Sequence, residues 1–115
     1  MYKTVLITGG GSGLGKQICI DLLNGGYFVH VIDILPQIIF HNNLIYQQKN
    51  LTKYHPKELN YDIFISNVTY KPIKQKLKNI KNKMINEAID LNVRLPLLMI
   101  KNNNFKKVIF INSIV

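Results

Sequence analysis

Cysteine occurs once in this 115-residue chain, at Cys19. No disulfide framework can hold the fold, and Cys19 reads as a small buried hydrophobe of a reducing compartment rather than a catalytic thiol. Long apolar runs are lacking: none approaches the roughly 18–20 residues of a membrane span, so no membrane partner is expected. No charged segment followed by an apolar one with a small-residue cleavage site opens the chain. Met1 leads straight into the first apolar segment, and a cytoplasmic location is the expectation. The three histidines, His30, His41 and His55, have no metal-ligand spacing, which leaves no metal site to expect. Ser12 and Ser66 support no Ser-His-Asp arrangement. Acids are scarce as well, six against fifteen Lys and Arg, for a net charge of +9.

A basic balance draws a chain toward phosphate polymers. Here the lysines are scattered and come with Asn, Ile and Tyr, a set that AT-rich codons favour together. The densest cluster, Lys71, Lys74, Lys76, Lys78, Lys81 and Lys83, has no interleaved aromatics on which bases could stack. It reads as a solvated face, and no nucleic-acid partner is expected.

What the chain does have is apolar content of 47%, enough for one packed core, and an alternation of strand and helix patterns within a single domain, 1–115. Strands are expected at about Lys3–Thr8, Phe28–Asp33, Leu44–Gln48, Asp62–Ser66 and Lys107–Ile111. Helices are expected at about Gly13–Asn24, stopped by Gly25-Gly26, and at Lys76–Lys101. Ile80, Met84, Ile85, Ala88, Ile89, Leu95, Leu98 and Met99 would form the buried face of the second helix. Residues Thr52–Leu59 read as a short helix that Pro56 opposes. Continuous apolar strands separated by helices indicate a doubly wound α/β fold with a parallel sheet covered on both faces.

Between the first strand and first helix stands Thr8-Gly9-Gly10-Gly11-Ser12-Gly13-Leu14-Gly15. A glycine-rich turn there bends tightly, brings bare backbone against a phosphate and aims free N–H groups at an anion. It is the expected pyrophosphate site of a dinucleotide. Asp33, ending the second strand, can accept hydrogen bonds from an adenosine ribose. A 2′-phosphate would meet a like charge there, and neither Ile34 nor Leu35 neutralises it, so NAD is expected over NADP.

Thr8-Gly9-xxx-Gly13-Leu14-Gly15 resembles the Thr-Gly-xxx-Gly-x-Gly fingerprint of the short-chain dehydrogenase/reductase family. Asn50-Leu51-Thr52 resembles the family's Asp-(Leu/Val)-Thr segment, whose acid contacts the adenine amino group; the Asn50 amide oxygen can still accept a hydrogen bond. Ser66-Asn67-Val68-Thr69 is similar to Asn-Asn-Ala-Gly, with Asn67 retained. Asn92 matches the family's helix asparagine, and Ile111-Asn112-Ser113 resembles the Ile-Ser-Ser that carries the catalytic serine.

The resemblance implies a Rossmann-like sheet of order 3-2-1-4-5. It also implies an NAD(P)-dependent oxidoreductase interconverting a small alcohol and carbonyl. Thr8, Gly9, Gly11, Ser12, Gly13, Leu14, Gly15, Asp33, Asn50, Leu51 and Asn67 would hold the cofactor. Ser113 would orient the substrate oxygen and Asn92 would hold a water in the proton relay. Pro96, four residues after Asn92, cannot donate to its carbonyl; this suits the carbonyl to the relay water, or else marks a kink tolerated for packing.

The family's Tyr-xxx-Lys pair is expected a dozen residues beyond Ser113, and the sequence stops at Val115. Tyr70-Lys71-Pro72-Ile73-Lys74 has the pattern but follows the fourth strand. The chain therefore reads as C-terminally truncated and inactive alone. A non-catalytic dinucleotide-binding module and a truncated frame without function are the alternatives. Strand five would end the sheet with an open apolar edge, an expected route to self-association or a homo-oligomer.

Overall fold

The computed structural model describes residues 2–68 and 77–111. Its elements are β1 (Thr4–Thr8), α1 (Gly13–Asn24), β2 (Phe28–Asp33), β3 (Leu44–Gln48), β4 (Asn60–Ser66), a 3-10 turn (Leu77–Asn79), α2 (Asn82–Ile89), a π-helical turn (Asp90–Arg94), α3 (Leu95–Asn102) and β5 (Asn104–Phe110). The five strands form one parallel sheet in the order β3-β2-β1-β4-β5, the doubly wound Rossmann-like arrangement.

The central strands are apolar on both faces because both faces are covered. Val5, Ile7, Val29 and Val31 turn toward Cys19 and Leu23 of α1. Leu6, Ile32 and Phe64 turn the other way, toward Leu95 and Met99 of α3 and Leu51 of the loop after β3. Each such large side chain withdrawn from water contributes about 1.5–3 kcal/mol. Cys19 is fully buried, and its burial pushes the thiol pKa up, as suits an inert packing residue.

α1 ends as its glycines lead one to expect. Gly26 takes φ +86, a left-handed angle that costs glycine little. The N–H groups of Gly26 and Tyr27 then return to the carbonyls of Leu23 (3.1 Å) and Leu22 (3.0 Å), the bonding pattern that closes a helix through a left-handed residue.

Two expectations are corrected. Residues 49–59 hold turns and no helix. Pro56 is buried, and its carbonyl accepts from Asn103 Nδ2 at 3.0 Å, while Asn103 Oδ1 accepts from the Leu59 N–H at 2.8 Å. One turn at Asn50–Tyr54 has backbone bonds of helical spacing, and bonds to α3's end hold the rest of the segment, including that of the Glu58 N–H to the Asn102 carbonyl at 3.0 Å. The long helix is also interrupted. At Asp90–Arg94 the chain takes π geometry, the Leu95 N–H reaching back to the Asp90 carbonyl, directly before Pro96, which has no N–H to give. Its buried side is carried by Leu91, Leu95 and Met99, whereas Ile85 and Ile89 are exposed.

His30 is buried on β2. Gln47 Oε1, 2.8 Å from Nε2, can only accept, so Nε2 carries the proton and Nδ1 accepts from the Tyr61 hydroxyl at 2.7 Å. It is a satisfied core histidine, with a pKa lowered chiefly by burial. Among the described residues no group of acids, histidines and cysteine could hold a metal.

Candidate functional site

The carboxyl ends of β1, β2, β3 and β4 open on one cleft of about 540 Å³. Gly9 and Ser12 line it from the turn after β1. Asp33, Ile34 and Leu35 come from the end of β2, Lys49 to Thr52 from the segment after β3, Asn67 and Val68 from the end of β4, and Leu91 from the π turn. In open parallel sheets, ligands bind in such crevices, where the strand order reverses.

The turn is shaped by what glycine lacks. Gly9 has φ +76, a backbone angle that L side chains rarely adopt. At Gly15 a Cβ would lie 2.1 Å from the Gly9 carbonyl oxygen and 2.3 Å from Asn67 Nδ2. Only a bare α-carbon lets the helix start pack this closely under the turn. Thr8 is buried and its hydroxyl accepts from the Asn67 N–H at 3.3 Å, while Asn67 Nδ2 donates to the Gly9 carbonyl at 3.0 Å. Ser12 is the N-cap residue of α1 yet makes no side-chain cap bond. Leu14 is exposed, and Gly13, with φ +54, has open space around it.

Asp33 is buried and takes backbone donors on both oxygens: the Gly11 N–H on Oδ2 at 2.7 Å and the Leu35 N–H on Oδ1 at 3.0 Å. A carboxylate has about four lone-pair sites, so two backbone bonds still leave it able to receive hydroxyl donors. The Lys49 ammonium sits 5.4 Å above the Tyr54 ring, a cation held over an aromatic face.

Six of the eleven residues expected at a cofactor line this cleft: Gly9, Ser12, Asp33, Asn50, Leu51 and Asn67. Thr8, Gly11 and Gly15 shape it from behind. Asn50 differs from expectation in one respect. Its Oδ1 accepts from both the Thr52 N–H (3.0 Å) and the Thr52 hydroxyl (2.7 Å), so the oxygen expected to meet adenine instead closes a turn. Asn92 is exposed on the π turn and is not among the residues lining the cleft; its neighbour Leu91 is. Ser113 and the Tyr70–Lys74 pattern lie outside the described residues. Lys49 and Leu91 escaped the sequence reading, though Lys49 directly follows β3 and so shares a sheet edge with Gly9 and Asp33.

No family model matches the sequence, and comparison with curated proteins finds none similar to it. Solved structures do share the fold. A short-chain dehydrogenase from Leptospira borgpetersenii serovar Hardjo-bovis, with bound NAD+, matches at TM-score 0.73 and 19% identity over 89% of this chain and 44% of its own. A short-chain dehydrogenase/reductase from Burkholderia vietnamiensis gives TM-score 0.76 and 16% identity over 98% of this chain and 66% of its own. ElxO with NADP bound gives 0.69 and 21% over 89% and 49%. The chain spans about half the length of most such structures, and at these identities the common property is the fold.

Proposed function

We propose that this chain forms the dinucleotide-binding part of an oxidoreductase of the short-chain dehydrogenase/reductase type, and that it takes NAD in preference to NADP. The observation that carries the reading is the convergence of the bare turn at Gly9–Gly15 and the Asp33 carboxylate on one cleft at the strand ends. The donor set suits the ligand. N–H groups at the start of α1 and the uncommitted Ser12 hydroxyl suit a pyrophosphate, and Asp33 suits a ribose diol. Leu51, Val68 and Leu91 give apolar walls for flat rings. The nicotinamide, when bound, supplies hydride exchange between an alcohol and a carbonyl. In this reading Asn67 braces the turn, Asn50 and Leu51 border the adenine, Ser113 orients the substrate oxygen and Asn92 serves the proton relay.

The test is a fluorescence titration with NADH and NADPH. NADH should bind the more tightly, and Asp33→Asn should shrink the preference by at least about tenfold, since like charges brought together cost several kcal/mol and about 1.4 kcal/mol is already tenfold. Failure of both cofactors to bind would overturn the reading. Equal binding of the two by the unaltered chain would overturn only the NAD preference.

A second reading, a non-catalytic dinucleotide-binding module, draws support from the exposed position of Asn92 outside the cleft lining. Carbonyl-dependent oxidation of NADH by this chain would overturn the module reading, since a module binds cofactor and leaves it unoxidised.

A further inference from the structure

Tyr46 on β3 touches the cleft's framework without lining the cleft, and neither the glycine turn nor the Asp33 reading uses it. We propose that Tyr46 is a positioning residue of this site, holding the Asp33 carboxylate and the Gly11 peptide in the arrangement that receives a ribose. The proposal rests on the dinucleotide reading given above.

The geometry meets at one point. A Cβ built on Gly11 would lie 2.5 Å from the Tyr46 hydroxyl oxygen and 2.7 Å from Asp33 Oδ2. The phenol tip, the carboxylate and the Gly11 α-carbon thus share a space that one added methyl would overfill. From that position the Gly11 N–H donates to Asp33 Oδ2 at 2.7 Å.

The phenol also fixes the other side of the acid. Its O–H donates to the Leu35 carbonyl at 2.8 Å, while the Leu35 N–H donates to Asp33 Oδ1 at 3.0 Å. Leu35 is therefore pinned through both its backbone N–H and its carbonyl, and Leu35 and Ile34 form a wall of the cleft. Burial first and the Asp33 charge second push the Tyr46 pKa up to about 12, so the hydroxyl stays a donor even where an ordinary phenol would begin to ionise. Val31 pairs with Tyr46 across the sheet, so the ring is packed against the α1-side core rather than hung in solvent.

Tyr46→Phe removes the hydroxyl and keeps the ring. With the full chain and NADH titrated by fluorescence, it should weaken binding about three- to tenfold, the range expected from one hydrogen bond. In the Asp33→Asn background the same change should cost little, because a residue acting through Asp33 has nothing left to position. A generic loss of stability would add to the Asp33→Asn effect instead.

A second route does not rely on that variant alone. Gly11→Ala should weaken NADH binding more than tenfold, and adding Tyr46→Phe should recover part of it by vacating the space the methyl needs. An unaltered chain that does not bind NADH would overturn the parent reading and this proposal together. NADH binding that is indifferent to Tyr46→Phe, or additive losses in the double variant, would overturn the proposal and leave the parent reading standing. Gly11→Ala binding like the unaltered chain, or no recovery with Tyr46→Phe, would do the same.

Discussion

Asn67 donates its side-chain amide to the carbonyl of Gly9 at 3.0 Å, joining the end of β4 to the turn after β1 across 58 residues. The bond bridges the two strands between which the order of the sheet reverses, so it holds both lips of the cleft at a fixed width. Asn67→Ala should cost about 0.5–1.5 kcal/mol, the net worth of one hydrogen bond, and should weaken NADH binding in parallel. Urea denaturation and a fluorescence titration on the same preparation check both.

Gly15→Ala attacks the same junction from the helix side. The methyl would lie 2.1 Å from the Gly9 carbonyl oxygen, an atom that cannot rotate away. Overpacking of this kind costs about 1–3 kcal/mol, and here the strain falls on the turn itself. NADH binding should be lost even where far-ultraviolet circular dichroism reports a folded chain.

His30 makes stability depend on pH. Its folded pKa lies below the unfolded value because burial disfavours the imidazolium. Between the two values the unfolded chain holds a proton that the folded chain refuses. Stability is therefore complete above the unfolded pKa near 6.5 and declines as pH falls toward the folded one. The slope contributed by one histidine is at most about 1.4 kcal/mol per pH unit. Denaturation midpoints from pH 8 to pH 5 should fall, and His30→Phe should flatten that decline.

β5 ends the sheet with Ile109 and Phe110 in contact with solvent, and among the described residues its one strand partner is β4. An open apolar edge templates pairing between molecules, and a lysine on such an edge opposes it. Sedimentation of the 115-residue chain should show mass rising with concentration, and Phe110→Lys should bring it toward the monomer. A monomer at every concentration would count against edge pairing.

The glycine turn and Asp33 were legible because they answer to local backbone chemistry. A close approach such as that at Gly15 forbids a side chain whatever the rest of the chain does, and an acid at a strand end has few other duties. The doubly wound architecture was legible for a related reason, since apolar runs such as Val5–Ile7 require cover on both faces, whereas the order of the strands came from the family resemblance. Tyr46 and Lys49 were not legible, because their meaning comes from which strand end stands beside which. The buried side of the broken helix was misread at Ile85 and Ile89. They sit one residue round from Met84 and Ala88, which are half-buried, and periodicity alone does not say which of two adjacent apolar residues turns inward. The Asn50 oxygen was assigned outward although Asn-Leu-Thr is a sequence in which an asparagine closes its own turn.

The segments on either side of β3, residues 34–43 and 49–59, contain no helix. β3 is thereby joined to the sheet by its ladder with β2 alone and is roofed by irregular chain. Cooperative opening begins where few contacts must break at once, so amide exchange with deuterium should be fastest to invade residues 44–54. The same stretch brings Lys49 and Asn50 to the lining of the cleft, with Tyr46 behind them. Occupancy there should slow the exchange of those amides far more than that of Val5–Ile7, which makes isotope uptake a way to see which half of a ligand the chain grips.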